Sequence, residues 1–395
     1  MRVLVALKAY DTFKSRGGYA RAVLGYCYSL IKVGIKPLVI DVGCEKKLRW
    51  WKFTTRTLTG DEVALDGLTI PRPRLMTRRR FQREVMDEIR VYDPQLMLIE
   101  GGRESRGTGL PLAKSLNIPS ITRIHSIRGL WAKDITKYVM KFDPIKAVQE
   151  LLKSPFSKSR NIFYVLTSDY ALTLNTLEEQ YLKRYTARVG TIEPTYIATI
   201  SEELTTGDSD VELGDERYVV TVLYPKAWDC VRQIIGLKVI HYVSKKVREA
   251  KFVVIGATEE DFSEGLGLKP PDNVICMKGL NDLAFYNIIQ NATMVLLPLV
   301  WLTGTSMRLV EALYFGKPVI TTSVVASRLP NFANGLHCII EDNFKKYPSH
   351  VKTLLNDDAI YHEISKNARA YFNKMLGYER TGLRHLKVFK AIGMT

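Results

Sequence analysis

The sequence predicts an α/β protein made of two doubly wound domains. Three observations predict this class: strand-like and helix-like segments alternate along both halves, a polar linker separates the halves, and 395 residues suffice for two domains. In doubly wound sheets, ligands bind beyond the carboxyl ends of the strands. We therefore expect two domains that face each other across a cleft, with the functional site in that cleft.

The domain boundaries follow from the same pattern. We predict an N-terminal domain over 1–200, a linker over 201–216, a C-terminal domain over 217–370 and a final helix within 371–395. The linker is predicted from a stretch that is polar, acidic and glycine-containing. The βα alternation stops before this stretch and restarts after it.

The first domain opens on a strand, a glycine-containing loop and a helix. Residues 3–7 are apolar, Gly17 and Gly18 lie in the loop, and apolar positions at spacings of three and four then predict the helix. Helices are expected at 81–91 and 109–116. Further buried strands are predicted at 37–41, 95–99, 120–124 and 161–167.

The second domain repeats the alternation after the linker. Its predicted strands cover 218–223, 251–256, 293–298 and 318–321. Its predicted helices cover 231–247, 281–291 and 307–314. Because strands and helices alternate one by one, we expect each sheet to be parallel.

Composition excludes several protein classes. Hydrophobic residues make up 46% and charged residues 25% of the chain, which excludes a disordered or collagen-like protein. The 5 cysteines are odd in number and include no C-x-x-C pair, so they predict free thiols in a reducing compartment rather than disulfides or a zinc site. There is no run of 18 apolar residues and no signal-peptide core. The expected location is the cytoplasm, and scarce glutamine fits a thermophilic source.

Positive charge is concentrated in the first half of the chain. Residues 1–200 contain 34 basic and 19 acidic residues, or +15, although the whole chain carries +16. Residues 201–365 contain 16 basic and 21 acidic residues, or −5, and the final 30 residues add +6. An asymmetry of this kind indicates that the first half meets an anionic surface.

Cations and aromatic side chains lie close together in one part of that half. Three interpretations remain open: an anionic membrane surface with rings at headgroup depth, a solvated charged face with the tryptophans in the core, and single-stranded nucleic acid, which is disfavoured. The membrane interpretation predicts a peripheral protein on the inner face of the membrane. The candidate patch consists of Arg49, Trp50, Trp51, Lys52, Arg78, Arg79 and Arg80.

The strongest local motif covers 302–319. A predicted strand leads into a loop of small residues that opens a helix, and the free N–H groups at a helix start suit a phosphate. Glu311 follows about one and a half turns into the helix, where its carboxylate could accept hydrogen bonds from ribose hydroxyls. The alternative is a buried helix start with an incidental glutamate. The loop candidates are Thr303, Gly304, Thr305, Ser306 and Met307.

This motif resembles the donor-nucleotide motif of GT-B glycosyltransferases, especially the retaining family 4 enzymes. The resemblance extends over most of the chain, because four more segments match the family in order and spacing. They are the glycine pair 17–18, the strand entry 92–95, the segment 118–125 ending at His125, and the region 279–291.

The resemblance implies a fold of two Rossmann-like domains and roles for particular residues. Glu311 would hold the ribose, the amides of Ser306 and Met307 would contact the diphosphate, and Gly18 would allow close approach to the donor phosphates. His125 would lie near the transferred sugar, with a satisfied core imidazole as the alternative. The last helix, within 371–395, would cross back to the N-terminal domain.

The activity implied is transfer from a nucleotide sugar, such as a UDP- or GDP-sugar, with retention of configuration. The family generally needs no metal, and no cofactor is expected. Asp208-Ser209-Asp210 resembles a metal-binding D-x-D motif but lies in the acidic linker, so we interpret it as incidental. The acceptor is expected to be lipid-linked or a glycan.

Two positions depart from the family pattern. Thr303 stands where the family has the first glutamate of its E-x7-E motif, which contacts the donor sugar. After strand 218–223 the family has an arginine and a lysine that neutralise the diphosphate, and here Lys226 and Arg232 are the candidates, with surface cations as the alternative. These departures keep open a catalytically inactive GT-B-like binding or scaffold protein, and the charge keeps open a nucleic-acid-binding protein.

Overall fold

A computed structural model describes most of the chain. The described residues are 1–7, 18–45, 52–65, 68–77, 86–101, 103–141, 144–195, 213, 217–223, 226–280 and 282–394. They group into two compact units. The first contains Met1–Leu130, Lys153–Ile200 and Gly377–Thr395, and the second contains Trp131–Leu152 and Ser201–Leu376.

In the described residues, the sheet of the first unit has eight strands in the order β4-β3-β2-β1-β5-β6-β7-β8. The neighbouring strands β2, β1, β5, β6, β7 and β8 pair in parallel, and β3 and β4 extend one edge as antiparallel strands. The expectation of a parallel sheet is therefore wrong at this edge, because β2, β3 and β4 follow one another in the chain without intervening helices. The strands are β1 Arg2–Leu7, β2 Lys36–Glu45, β3 Lys52–Leu65, β4 Leu68–Thr77, β5 Leu96–Glu100, β6 Ser120–Ile124, β7 Tyr170–Thr173 and β8 Val189–Thr191.

The described part of the second unit contains a sheet of six strands, all parallel, in the order β11-β10-β9-β12-β13-β14. Its core is formed by apolar side chains from the strands and the helices that cover them, including Val254, Leu296 and Tyr347. The strands are β9 Tyr218–Val222, β10 Lys251–Ile255, β11 Val274–Met277, β12 Met294–Leu297, β13 Val319–Thr321 and β14 Ile339–Ile340.

The helices are numbered along the whole chain. They are α1 Gly18–Lys32, α2 Met86–Tyr92, α3 Arg103–Ser115, α4 Ala132–Val139, α5 Pro144–Thr167, α6 Thr176–Leu182, α7 Lys226–Lys246, α8 Glu259–Leu266, α9 Asp282–Asn291, α10 Met307–Tyr314, α11 Ser323–Ala326, α12 Tyr347–Asn356, α13 Asp358–Tyr371 and α14 Tyr378–Ala391. Short 3₁₀ turns cover Arg128–Trp131 and Phe344–Lys346, and a π-helical turn, Phe372–Leu376, links α13 to the last helix. The predicted α/β class with two doubly wound units is confirmed.

One predicted strand is wrong. Residues 161–167 form the last two turns of α5 rather than a strand. Their run of β-branched and aromatic residues is typical of a buried strand, yet only Asn161, Tyr164 and Val165 are buried, at the spacing of three and four that a helix requires. The next buried strand is β7, which begins at Tyr170.

The last helix packs within the first unit. Gly382 of α14 lies so close to α1 that a Cβ there would sit 2.2 Å from the backbone oxygen of Ser29. Tyr28 and Tyr378 stack edge to face with ring centroids 4.9 Å apart, and Arg384 forms an ion pair with Glu193. The final segment of the chain is therefore a structural part of the first unit.

Candidate functional site

Each sheet has one point where the strand order reverses. In both sheets, candidate site residues come after strands near this point. In the second unit this point lies between β9 and β12, because the chain runs outward to β11 on one side and to β14 on the other. In the first unit it lies between β1 and β5. Crevices at such switch points are the usual ligand sites of open α/β sheets.

The segment after β12 has the geometry of an anion-binding helix start. Gly304 adopts a φ of 77°, and Ser306 caps α10 by accepting a 3.4 Å hydrogen bond from the N–H of Leu309. The helix begins at Met307, and Glu311 on its second turn is 0% exposed. A helix N-terminus presents N–H groups and a positive dipole end. The loop and the helix thus combine amide donors at the helix start with a buried carboxylate on the next turn.

A buried arginine anchors the loop that leads to α10. Arg328, only 1% exposed, donates a 3.0 Å hydrogen bond from Nη2 to the carbonyl of Leu302. Its guanidinium carbon lies 3.6 Å from the ring centroid of Trp131. The stacked ring fixes the guanidinium plane, so the backbone just before Thr303 is held in place. A buried cation beside the loop also favours an anionic ligand there.

Two further arginines contact segments next to this loop. Arg308, in the first turn of α10, donates a 3.4 Å hydrogen bond to the carbonyl of Leu223. The half-buried Arg232 lies 5.6 Å from the ring centroid of Trp301. The contacts of Arg232 place a cation of α7 beside the loop residues. Lys226 is the first residue of α7, and its side chain is outside the described part of the structure.

Gly256, after β10, supports the same region and yields a stability prediction. Its φ is +95°, and a Cβ would lie 2.6 Å from the oxygen of Leu223. We expect Gly256→Ala to lower the free energy of unfolding by about 3 kcal/mol, because backbone strain and overpacking add. Gly267→Ala is the matched control, because its φ is also positive but nothing lies within 4 Å of the added Cβ. Urea denaturation of both variants measures the difference, and equal losses would contradict the steric argument.

In the first unit, His125 belongs to a buried charge cluster. Glu100 ends β5 and pairs in register with Arg123 of β6, so their side chains lie next to each other. The Glu100 carboxylate accepts hydrogen bonds from Arg123 Nη1 at 2.6 Å and from His125 Nε2 at 3.0 Å. Glu100 and Arg123 are 1% and 0% exposed, whereas the His125 side chain is 18% exposed. His125 is thus held by a buried ion pair.

His385 of α14 completes this cluster. Arg123 Nη2 contacts His385 Nε2, and His385 Nδ1 lies 2.8 Å from the carbonyl of Thr381. Because arginine is a donor only, we assign the neutral tautomer in which Nε2 accepts and Nδ1–H donates. The guanidinium carbon of Arg123 also lies 3.5 Å from the ring centroid of Tyr26. The last helix and the catalytic candidate therefore share one arginine.

The two imidazoles predict a loss of stability in acid. Burial lowers the pKa of His385 well below its usual value, with Arg123 adding to the effect. Burial also lowers the pKa of His125, although the hydrogen bond that His125 donates to Glu100 opposes this shift. The unfolded state then binds more protons than the native state below about pH 6.5, so the free energy of unfolding falls as the pH falls.

We expect a slope of up to about 1.4 kcal/mol per pH unit for each histidine. Urea denaturation at several pH values between about 7.5 and 5.5 measures it. His385→Gln removes one titration, so its slope should be smaller than that of the natural protein, although His241 and His337 contribute with the same sign in both proteins. An unchanged slope would show that His385 does not titrate in this range.

The remaining predicted site residues are only partly described. Gly18 is the first residue of α1, and Lys52 begins β3, where it pairs with Glu45 of β2. Gly17 and the other patch residues, Arg49, Trp50, Trp51, Arg78, Arg79 and Arg80, lie outside the described residues. Thr303 and Thr305 are half-buried in the loop before α10. The functional roles of all these residues stay predictions.

Three negative observations concern the described residues alone. They contain no group of three or more His, Cys, Asp or Glu side chains arranged to hold a metal ion. Within them, no helix has both the length and the apolarity needed to cross a bilayer. Among them, Cys27, Cys276 and Cys338 are free thiols. Metal independence and the compartment of the protein stay predictions.

Sequence reasoning missed Glu100, Arg123, His385 and Arg328 as site components. Glu100 and Arg123 could have been found, because charged residues within or at the end of apolar strands need buried partners. His385 carries no comparable signal, because its partner Arg123 is more than a hundred residues away in the chain. Arg328 carries none either, because its partner, the carbonyl of Leu302, lies on a loop without a pattern of its own.

Comparison with known proteins adds independent information. Residues 233–371 match the family described as Glycosyl transferases group 1. No curated protein sequence is similar enough to match. The matched segment begins in α7 and ends with α13, so it contains Glu311, the loop before α10 and the buried Arg328.

Solved structures match the fold over nearly the whole chain. Sucrose-phosphate synthase from Thermosynechococcus elongatus is 14% identical, with a TM-score of 0.68 and coverage of 99% of this chain and 98% of that one. Anabaena HepE in complex with UDP and glucose is 11% identical, with a TM-score of 0.60 and coverage of 99% and 100%. A candidate UDP-N-acetylglucosamine 2-epimerase from Listeria monocytogenes is 13% identical, with a TM-score of 0.55 and coverage of 99% and 96%. The chain therefore has the GT-B fold of two α/β units, and its second unit matches the glycosyl transferases group 1 family over residues 233–371.

Proposed function

We propose that this protein is a glycosyltransferase that moves a sugar from a nucleotide-activated donor to an acceptor hydroxyl. The observation that carries the proposal is the buried Glu311 carboxylate on the second turn of the Ser306-capped helix α10, inside the segment that matches the family. The UDP and UDP-glucose complexes of Anabaena HepE support a nucleotide sugar as the donor.

Donor binding in this proposal uses the second unit. The N–H groups at the start of α10 hydrogen-bond the diphosphate, as helix N-termini do with phosphates. The Glu311 carboxylate accepts hydrogen bonds from two ribose hydroxyls, since an ionised acceptor makes stronger hydrogen bonds than a neutral one. Thr303, in place of an acidic residue, offers the donor sugar a hydroxyl, which can both donate and accept.

The reaction breaks the bond between the anomeric carbon and the diphosphate oxygen, and forms a bond to the acceptor oxygen. Negative charge develops on the departing diphosphate, and cations stabilise it. We assign this role to Arg232, which lies beside Trp301, with Lys226 at the start of α7 as the second candidate. The acceptor proton leaves to a diphosphate oxygen, and attack from the same face retains the configuration, as in family 4. No metal or other cofactor is part of the proposal.

His125 is proposed to contact the transferred sugar, and Gly18 to let the backbone approach the donor phosphates. Nε2 of His125 donates to the Glu100 carboxylate, so the other ring nitrogen, Nδ1, is the hydrogen-bond acceptor of the neutral ring. Glu100 and Arg123 are positioning residues that fix the ring plane and the tautomer.

The acceptor is proposed to be lipid-linked or a glycan at an anionic membrane surface, with the protein in the cytoplasm. The support is the +15 carried by residues 1–200, the part of the chain assigned to the acceptor. Nucleic acid is disfavoured as a partner.

Titration with UDP, GDP, ADP and their sugars tests the proposal. We expect one nucleotide to raise the melting temperature, and its sugar to be consumed with release of the nucleoside diphosphate when an acceptor is present. Product analysis by chromatography separates transfer from epimerisation, the reaction suggested by the Listeria neighbour. Binding without turnover would favour the inactive binding protein that Thr303 keeps open, and no binding at all would overturn the proposal.

A further inference from the structure

The long helix α5 exposes a second apolar face. Its buried face contains Asn161 and Val165, which are 2% and 1% exposed. On the other side, Phe156, Phe163 and Leu166 are 78%, 60% and 49% exposed. Single exposed apolar residues are ordinary, but two phenylalanines at this exposure on one helix side indicate a contact surface.

The exposed residues form one continuous stripe. Ile145, Val148 and Leu152 continue it towards the helix start and are 73%, 46% and 66% exposed. At 100° per residue, these six positions fall within roughly 80° of the helix circumference, opposite the buried face. From the first to the last, the stripe is about 30 Å long. We call these six residues the α5 stripe.

The charges beside the stripe are basic. The sequence of α5 contains four basic residues and a single carboxylate, Glu150. Lys153 and Arg160 are exposed and lie along one edge of the stripe. Phenylalanine and leucine on one side with flanking lysine and arginine are typical of helices that lie in an anionic lipid interface.

We propose that the α5 stripe docks the protein on an anionic lipid surface. The flanking cations contact lipid phosphates while the phenylalanines enter the boundary between headgroups and acyl chains. Self-association is disfavoured, because two stripes pairing about a two-fold axis would place Lys153 and Arg160 of one copy near those of the other. A nucleic acid bound to the flanking cations is also disfavoured, because it would leave the apolar residues of the stripe in contact with water.

This inference extends the membrane-surface setting proposed above to a described helix, and it does not depend on the reaction. Co-sedimentation with phosphatidylcholine vesicles, with and without phosphatidylglycerol, tests it. We expect binding only to the anionic vesicles. Phe156→Ser and Phe163→Ser should each weaken it about tenfold, the affinity expected from burying one aromatic side chain. Lys153→Gln with Arg160→Gln should reduce both the binding and its salt dependence.

Leu383→Ser on α14 is the matched control, because Leu383 is 59% exposed but lies off the stripe. It should bind vesicles as the natural protein does. Thermal-shift titration with nucleotide sugars is a separate readout, and the stripe variants should leave it unchanged, so the failure of one proposal is distinguishable from the failure of the other. The inference would be overturned if the protein did not bind vesicles, or if it bound equally well with and without phosphatidylglycerol. It would also be overturned if the stripe variants bound like the control. A concentration-dependent dimer that Phe156→Ser abolishes would overturn it as well.

Discussion

Arg123→Met is expected to lower the free energy of unfolding by about 3–5 kcal/mol, the cost of leaving one member of a buried ion pair without the other. Arg123 is fully buried and contacts Glu100, His385 and the face of Tyr26. Methionine fills a similar volume but leaves the Glu100 carboxylate without its cation. A loss of this size corresponds to a fall of roughly 10 °C in melting temperature for a unit of about 200 residues.

Two further variants isolate the origin of this loss. Arg123→Met combined with Glu100→Gln should recover a large part of it, because no buried charge remains. Lys352→Met is the control, since Lys352 pairs with Glu249 at 3.7 Å and both side chains are about half exposed. Exposed pairs contribute about 0–1 kcal/mol. Urea denaturation of the four proteins decides the matter, and a loss for Arg123→Met no larger than that for Lys352→Met would contradict the structural role of the cluster.

Glu311→Ala is expected to weaken donor-nucleotide binding about a hundredfold. Each hydrogen bond to a charged group contributes about 1.5–3 kcal/mol, and the carboxylate is proposed to accept two. Glu311→Gln retains the shape and one acceptor, so its loss should be closer to tenfold. Isothermal titration calorimetry with the nucleotide identified by thermal shift gives both dissociation constants.

The fold of these variants must be measured beside their affinity. Glu311 is fully buried, so the melting temperature without ligand shows whether a variant has lost structure rather than ribose contacts. Glu363→Ala is the matched control, because Glu363 is an exposed glutamate of α13 in the same unit. If Glu311→Ala folds normally and binds as tightly as Glu363→Ala, the carboxylate does not hold the ribose.

Local pattern was enough to predict four of the six described strands of the second unit. The helix predicted at 307–314 is α10, and the predicted strands 293–298 and 318–321 contain β12 and β13. These elements obey simple rules: apolar runs bounded by glycine, proline or a capping serine. The Glu311 position follows from the same local motif, because loop, cap and carboxylate lie within ten residues.

The first unit shows where local pattern is insufficient. The end of α5 has strand-like composition, because both faces of this helix carry apolar residues. Composition does not show which of these residues are buried, and the spacing of the buried residues is what distinguishes a helix from a strand. The charge cluster around His125 depends on the register between β5 and β6 and on a helix more than 250 residues later in the sequence. Contacts of that kind have no signature within a sequence window.

The position of α14 has a consequence for the order of folding during synthesis. The first unit needs residues 377–395, because His385 binds Arg123 and Gly382 packs on α1. At about 5–20 residues per second, ribosomes need on the order of ten to forty seconds to pass from the end of the 153–200 segment to this helix. The nascent first unit therefore waits with an incomplete charge cluster while residues 201–376 emerge and fold. The part of the protein that is made first is completed last.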